Sequence, residues 1–173
     1  KSISDALAKQ PHIRLTVEYY EPDRLGVRRK PGSLNSRFYY IAWQFGAYRI
    51  ARRLVRQGSF NLVHHITWGT FRFPSFLGSL GIPFVFGPVG GGERAPFRLY
   101  HSLPWKDRAR EFVRDLIFCT GRFDPLVRLC LSQADLILCK TQETLVALPQ
   151  SARERAVIAH EIGSPPIAEC VRI

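Results

Sequence analysis

Ile82-Pro83-Phe84-Val85-Phe86 is an apolar run with no polar break, and a run of that kind fits a strand buried on both faces, as in a parallel sheet. Four other short runs share its β-branched and aromatic character: Ile13 to Tyr20, Phe60 to Ile66, Ala134 to Cys139 and Ala156 to Ala159. Between them lie stretches with helical spacing. From Ser36 to Gln57 the apolar residues Phe38, Ile41, Phe45, Ile50, Leu54 and Val55 recur near every third or fourth position, and Gly58 can close the helix. Residues 104–133 read as two helices broken near Gly121 and Pro125, and Thr141 caps a short helix ending by Pro149. Strands alternating with helices are βαβ units. The expected class is therefore α/β, a Rossmann-like parallel sheet with helices on both faces.

A hydrophobic fraction of 46% with 23% charged residues excludes a disordered chain. No apolar run nears the roughly 20 residues that span a bilayer, and no signal-peptide pattern is visible. The cysteines at 119, 130, 139 and 170 form no C-x-x-C pair. Buried reduced thiols are expected from them, hence a cytoplasmic chain. His12, His101 and His160 are scattered, so no metal is expected. Lys and Arg outnumber Asp and Glu by 25 to 14, and an excess of +11 attracts an anionic partner without naming it. Arg49, Arg52, Arg53 and Arg56 crowd the end of one helix, where they equally suit its dipole. The stretch from Arg94 to Arg128 mixes aromatic and basic residues, which fits an anionic membrane surface or an ordinary solvated helix face.

In open parallel sheets ligands bind beyond the carboxyl ends of the strands, where loops diverge. Three segments qualify: His64 to Gly69, Gly87 to Glu93, and Lys140 to Glu143. The glycines at 90, 91 and 92 would let the backbone approach a ligand and offer N–H groups to it, or would simply make a tight turn. They are not a dinucleotide fingerprint, since Glu93 and Pro96 follow where a helix should open, and a carboxylate there would repel phosphate. His64 and His65 point to opposite faces, so only one can reach the crevice.

These residues, taken in order, resemble a known family. Phe60-Asn61-Leu62-Val63-His64-His65-Ile66-Thr67-Trp68-Gly69 and Gly81 to Glu93 look like the N-terminal domain of family 4 glycosyltransferases, as do Asp124 to Val127, Ala134 to Leu138 with Thr141 and Glu143, and Glu161-Ile162-Gly163. The likeness covers about residues 60–163. It implies two Rossmann-like domains of the GT-B type facing a cleft, the acceptor on the first and a nucleotide sugar on the second. Transfer would retain anomeric configuration and use no metal and no cofactor other than the nucleotide-sugar donor. Residues 1–160 would be the acceptor-side domain, lacking the family's first strand, and 161–173 would begin the crossover to the donor domain. Loss of that strand, central in the usual order, would leave unpaired backbone inside the sheet.

On this reading Gly90, Gly91, Gly92, Glu93, His65 and Thr67 line the acceptor crevice, with His64 and Thr141 at its edge. The acceptor is phosphorylated, lipid-linked or a glycan, met at the inner membrane face, and the chain alone is inactive. Many family members carry a crevice histidine where this chain has Gly87-Pro88-Val89, so no catalytic residue is assigned. Two other readings share the composition. A basic α/β module binding nucleic acid without catalysis would account for the charge but not for Gly90 to Glu93. A nicotinamide-dependent oxidoreductase shares the fold class but lacks its fingerprint.

Overall fold

The computed structural model describes residues 15–20, 35–58, 60–66, 68–93, 104–110 and 123–159. The chain divides into two compact units, Lys1–Ala47 and Tyr48–Ile173. Helix α1, Asn35–Gln57, runs through the division.

In the first unit residues 15–20, expected to end a strand, have no strand pairing. Tyr20 instead gives its carbonyl to the indole N–H of Trp43 at 3.1 Å. On α1 the buried positions are Tyr40 and Gln44, whereas Phe38 and Phe45 are exposed. The expected apolar stripe is thus rotated. Gln44 is tolerated inside because its Nε2 donates to the Tyr40 hydroxyl at 2.7 Å, one helical turn back. Arg49, Arg52, Arg53 and Arg56 are all exposed.

The second unit is built on a four-stranded, all-parallel sheet in the order β1-β2-β3-β4, with helices between strands, so its class is Rossmann-like α/β. β1 is Val63–His65, β2 is Phe84–Val89, β3 is Leu136–Cys139 and β4 is Ala156–Ile158. Helix α2, Pro125–Gln133, enters β3, and α3, Gln142–Ala147, with α4, Gln150–Arg153, joins β3 to β4. Every neighbouring pair of strands is hydrogen-bonded, so no gap interrupts the described sheet. The open rows are at its margins, β1 and β4.

β2 runs three residues beyond the expected Phe86. Pro88 has no N–H to give to a ladder, and the register to β3 skips there, from Phe86 opposite Ile137 to Val89 opposite Cys139. One extra residue on β2 makes this a bulge. The sequence reads Gly87-Pro88 as a stop, but the strand resumes after it.

One face of the sheet carries the core. Phe84, Phe86, Ile137 and Cys139 pack with Val127, Cys130 and Leu131 of α2, Ala152 of α4, and Phe71 and Leu148. Each fully buried phenylalanine contributes about 2 to 3 kcal/mol. The alternate position Val85 of this run, like Leu136 and Leu138 of β3, is half-buried, so the second face is covered less fully than the first. Asp135 locks the register: its carboxylate accepts from Phe84 N–H at 2.8 Å and its own N–H donates to the Phe84 carbonyl.

Helix α2 starts as its sequence predicts. Asp124 accepts from the N–H groups of Leu126 and Val127, and Pro125 fills the first helical position. Asp124→Ala should lower stability by about 1 kcal/mol, read as a small drop in the urea midpoint with an unchanged slope.

Two arginines close helix ends. Arg155 donates to the carbonyls of Leu131, Ser132 and Ala134, at the end of α2, and of Ser151. Arg153 donates to Val146 and Leu148 at the end of α3. These carbonyls have no partner within their helices, so part of the basic excess serves the fold.

Burial pushes the Cys130 thiol up to about 12, against a smaller opposing effect of the Ser75 N–H that donates to its sulfur, and burial pushes Cys139 up to about 11. Both are free and buried, as expected; Cys119 and Cys170 lie outside the described residues. At pH 8 neither Cys130 nor Cys139 should react with a thiol reagent in the native state, and both should after denaturation. Peptide mapping by mass spectrometry of the labelled protein checks this.

Candidate functional site

The loops after β1, β2 and β3 meet at the carboxyl edge of the sheet. Gly90 extends β2 by one bridge to Thr70, its N–H donating to the Gly69 carbonyl at 2.7 Å while its carbonyl accepts from Phe71 N–H at 3.1 Å. Lys140 N–H donates to the Val89 carbonyl at 2.8 Å. Residues 87–93 thus stand where the parallel-sheet rule puts a ligand site.

The glycine run does not behave as the sequence suggests. Its N–H groups were expected to face a ligand, yet each is engaged within the protein. Gly90 donates to Gly69, Gly91 to a Glu93 carboxylate oxygen at 2.7 Å, and Gly92 to the Thr144 hydroxyl at 3.1 Å. The lack of side chains answers a packing demand instead. Gly91 sits at φ +95°, and a Cβ there would lie 2.3 Å from Thr70 Oγ1. A Cβ on Gly92 would lie 2.3 Å from Thr144 Cα and 2.6 Å from the Glu143 carbonyl, both backbone. The loop is pressed against the first turn of α3.

Glu93 ties that turn to the loop. One carboxylate oxygen accepts from the hydroxyls of Thr141 and Thr144, both at 2.9 Å, and the other from Gly91 N–H. Thr141 also caps α3, its hydroxyl accepting from Thr144 N–H at 3.2 Å. Burial, the largest single influence, pushes the Glu93 carboxyl up. The hydrogen bonds from its own backbone, Gly91, Thr141 and Thr144 together outweigh it, so the carboxyl titrates below its ordinary 4.5. Glu93 is therefore an anion at neutral pH, and it remains exposed to solvent.

A depressed folded value means that the stabilisation is fully present above 4.5 and is lost as pH falls through the folded value. Glu93→Gln should cost about 1 kcal/mol at pH 7, the loss of charge-assisted hydrogen bonds discounted for exposure. Melting curves from pH 7 to pH 3 should show the gap between wild type and variant closing at the acid end.

The two histidines separate as period two requires. His65 is buried, 5% exposed, with its ring 5.6 Å from that of Phe86, so it belongs to the core face and does not line the crevice. His64 is exposed, and its Nε2 donates to the Gly87 carbonyl at 2.7 Å, beside the bulge. Thr67 lies outside the described residues. Of the expected site residues, the structure joins Gly90, Gly91, Gly92, Glu93 and Thr141 in one network, while His64 bonds the Gly87 carbonyl and His65 is buried beside Phe86.

The sequence reading missed Thr144 and Arg72, and it named Lys140 only as part of a candidate loop. Arg72 donates to the Gly91 carbonyl at 3.0 Å. The Lys140 ammonium lies 2.8 Å from where a Cβ on Gly69 would be. Thr144 could have been found from Thr141, since a capping threonine three residues earlier makes it the first inward position of α3. Nothing local in sequence marks Arg72 or the direction of Lys140.

No group of three or more His, Cys, Asp or Glu side chains able to hold a metal occurs among the described residues. Among those residues no helix is long and apolar enough to cross a membrane. An exposed carboxylate and an ammonium on this edge can hydrogen-bond a polyhydroxylated molecule. No family model, no curated protein and no solved structure matches the chain.

Proposed function

We propose that this chain is the acceptor-side half of a retaining glycosyltransferase of family 4, holding a phosphorylated, lipid-linked or glycan acceptor at the carboxyl edge of its sheet. The observation that carries the reading is the convergence of three loops there, the one after β1 bonded to Gly90 and the one after β3 tied to Glu93. The motif order over residues 60–163 adds the reaction class. The donor sugar, carried on a nucleotide, would be held by a second lobe facing this edge, and charge developing on the leaving phosphates would be met by groups of that lobe. The role of this chain is to present the acceptor. A preorganised edge does this at little entropic cost, because its loops are already fixed.

The reading places the protein in the cytoplasm at a membrane face. Residues 104–110 support that setting: Trp105 is 74% exposed, and Lys106, Arg108 and Arg110 are exposed beside it. An indole among cations suits an interface rich in anionic headgroups.

The test is a nitrogen-15 NMR titration of the intact chain with a short-chain isoprenyl phosphate and, separately, with a nucleotide sugar. The acceptor analogue should move the amide signals of residues 90–93 and 140–144, and the nucleotide sugar should leave them in place. Signals moving only at distant residues would refute the acceptor site. A steeply salt-dependent response to a random oligonucleotide in its place would favour a nucleic-acid module. Sugar transfer by this chain alone would refute the division of labour between lobes.

A further inference from the structure

Trp68 has the left-handed backbone conformation, φ +64°, and the following Gly69 is at +39°. For a bulky side chain this region is disfavoured, and such outliers persist where the surroundings hold them. The consequence is a turn that pushes the indole outward. It is 41% exposed, although tryptophan is normally well buried. The ring is nevertheless braced, tilted at 46° against Phe73 with 4.7 Å between centroids. An aromatic surface held rigid and kept wet is a binding surface that gives up little entropy when used.

Its neighbourhood is polar and mixed in charge. The Gly69 backbone lies against the Lys140 ammonium and accepts from Gly90 N–H, and a Cβ on Gly90 would lie 3.3 Å from a Glu93 carboxylate oxygen. An exposed indole, one residue before backbone that adjoins an ammonium and is bonded to a glycine beside a carboxylate, matches one chemistry well. A pyranose ring has one face of C–H groups, which lies on an indole, and a rim of hydroxyls, which donate to a carboxylate and accept from an ammonium.

We infer that Trp68 is the stacking platform for a pyranose ring of the acceptor, with Lys140 and Glu93 meeting its hydroxyls. This rests on the carboxyl edge being the acceptor site, and it narrows the acceptor class to molecules bearing a pyranoside at the end that enters the site. A phosphate alone would gain nothing from the indole.

The probe is methyl glucopyranoside, titrated into nitrogen-15-labelled chain while the three indole N–H signals are followed, with Trp68→Phe assigning the one in question. Trp43 serves as internal reference, because its indole N–H is already bonded to Tyr20. The Trp68 signal should move saturably with a dissociation constant in the range of ~1 to 10 mM. Trp68→Ala should weaken binding by about 10-fold and Trp68→Phe, which keeps a ring against Phe73, by less. If the signals of Gly90 to Glu93 move while Trp68 stays still, the platform is wrong and the acceptor edge stands. If neither moves for the pyranoside but an isoprenyl phosphate shifts residues 90–93, the pyranoside inference is overturned alone. A response to adenosine in place of the pyranoside would overturn it in favour of a nucleobase.

Discussion

Gly92→Val should destabilise the chain by about 3 kcal/mol and lower its melting temperature by roughly 9 °C. The branched side chain would enter space held by the backbone of Glu143 and Thr144, where no rotamer change can make room. Either the loop lifts away from α3, breaking the bond from Gly92 N–H to Thr144, or the first turn of α3 unwinds and Thr141 loses its cap. Both routes also displace Glu93. Binding of the acceptor analogue should fall with stability, and the amide signals of residues 141–144 should move even though the substitution is in another loop. A change below about 0.5 kcal/mol in a urea melt would show that the loop is not pressed on α3 as described.

Arg155→Leu should cost about 2 to 3 kcal/mol. The guanidinium serves carbonyls of Leu131, Ser132, Ala134 and Ser151, and leucine serves none of them. Water can replace it at Ser132 and Ser151, which are exposed, but less readily at Leu131 and Ala134, which are buried. A buried carbonyl left without a donor costs about 1 to 3 kcal/mol. Arg155→Lys should recover only part of the loss, because one ammonium cannot span the fork of contacts. Arg128→Leu is the control: Arg128 is exposed on the same helix, and its replacement should stay within about 0.5 kcal/mol. Equal losses for the two leucine variants would mean that charge, and not the carbonyl contacts, is responsible.

The class of the fold was legible because a parallel sheet writes itself as apolar runs: β1, β3 and β4 fall within three of the five runs named from sequence, and β2 begins within a fourth. A helix start was legible where its cap is a local matter, as at Thr141, and the start of α2 only as a break near Pro125. What could not be read was anything decided across the chain. Leu15 to Tyr20 alternates like a strand, but a strand exists only where a partner offers its edge. Phe38 and Phe45 have the spacing of a core stripe, yet Tyr40 and Gln44 take the interior. The Gly87-Pro88 bulge looks like an end because local propensity cannot report that the ladder resumes at Val89.

The site divided in the same way. The carboxyl-edge rule picked out residues 87–93 and Lys140 to Glu143 from strand order alone, and the structure has these loops in contact there. The spacing of His64 and His65 showed that they face apart, but their fates depend on Phe86 and on the Gly87 carbonyl, which lie 20 or more residues away in sequence. The glycines were recognised as permitting close approach. That the approaching body is α3, rather than a ligand, follows from long-range contacts to Thr144 that no neighbouring residue announces.

A glycine loop whose donors are all satisfied internally should resist deuterium. Amide protons at 90 and 91 would exchange more slowly than those of a free surface segment, and the one at 92, bonded to Thr144, would exchange at the pace at which α3 opens. The most permissive stretch of backbone in the chain would thereby keep time with a helix.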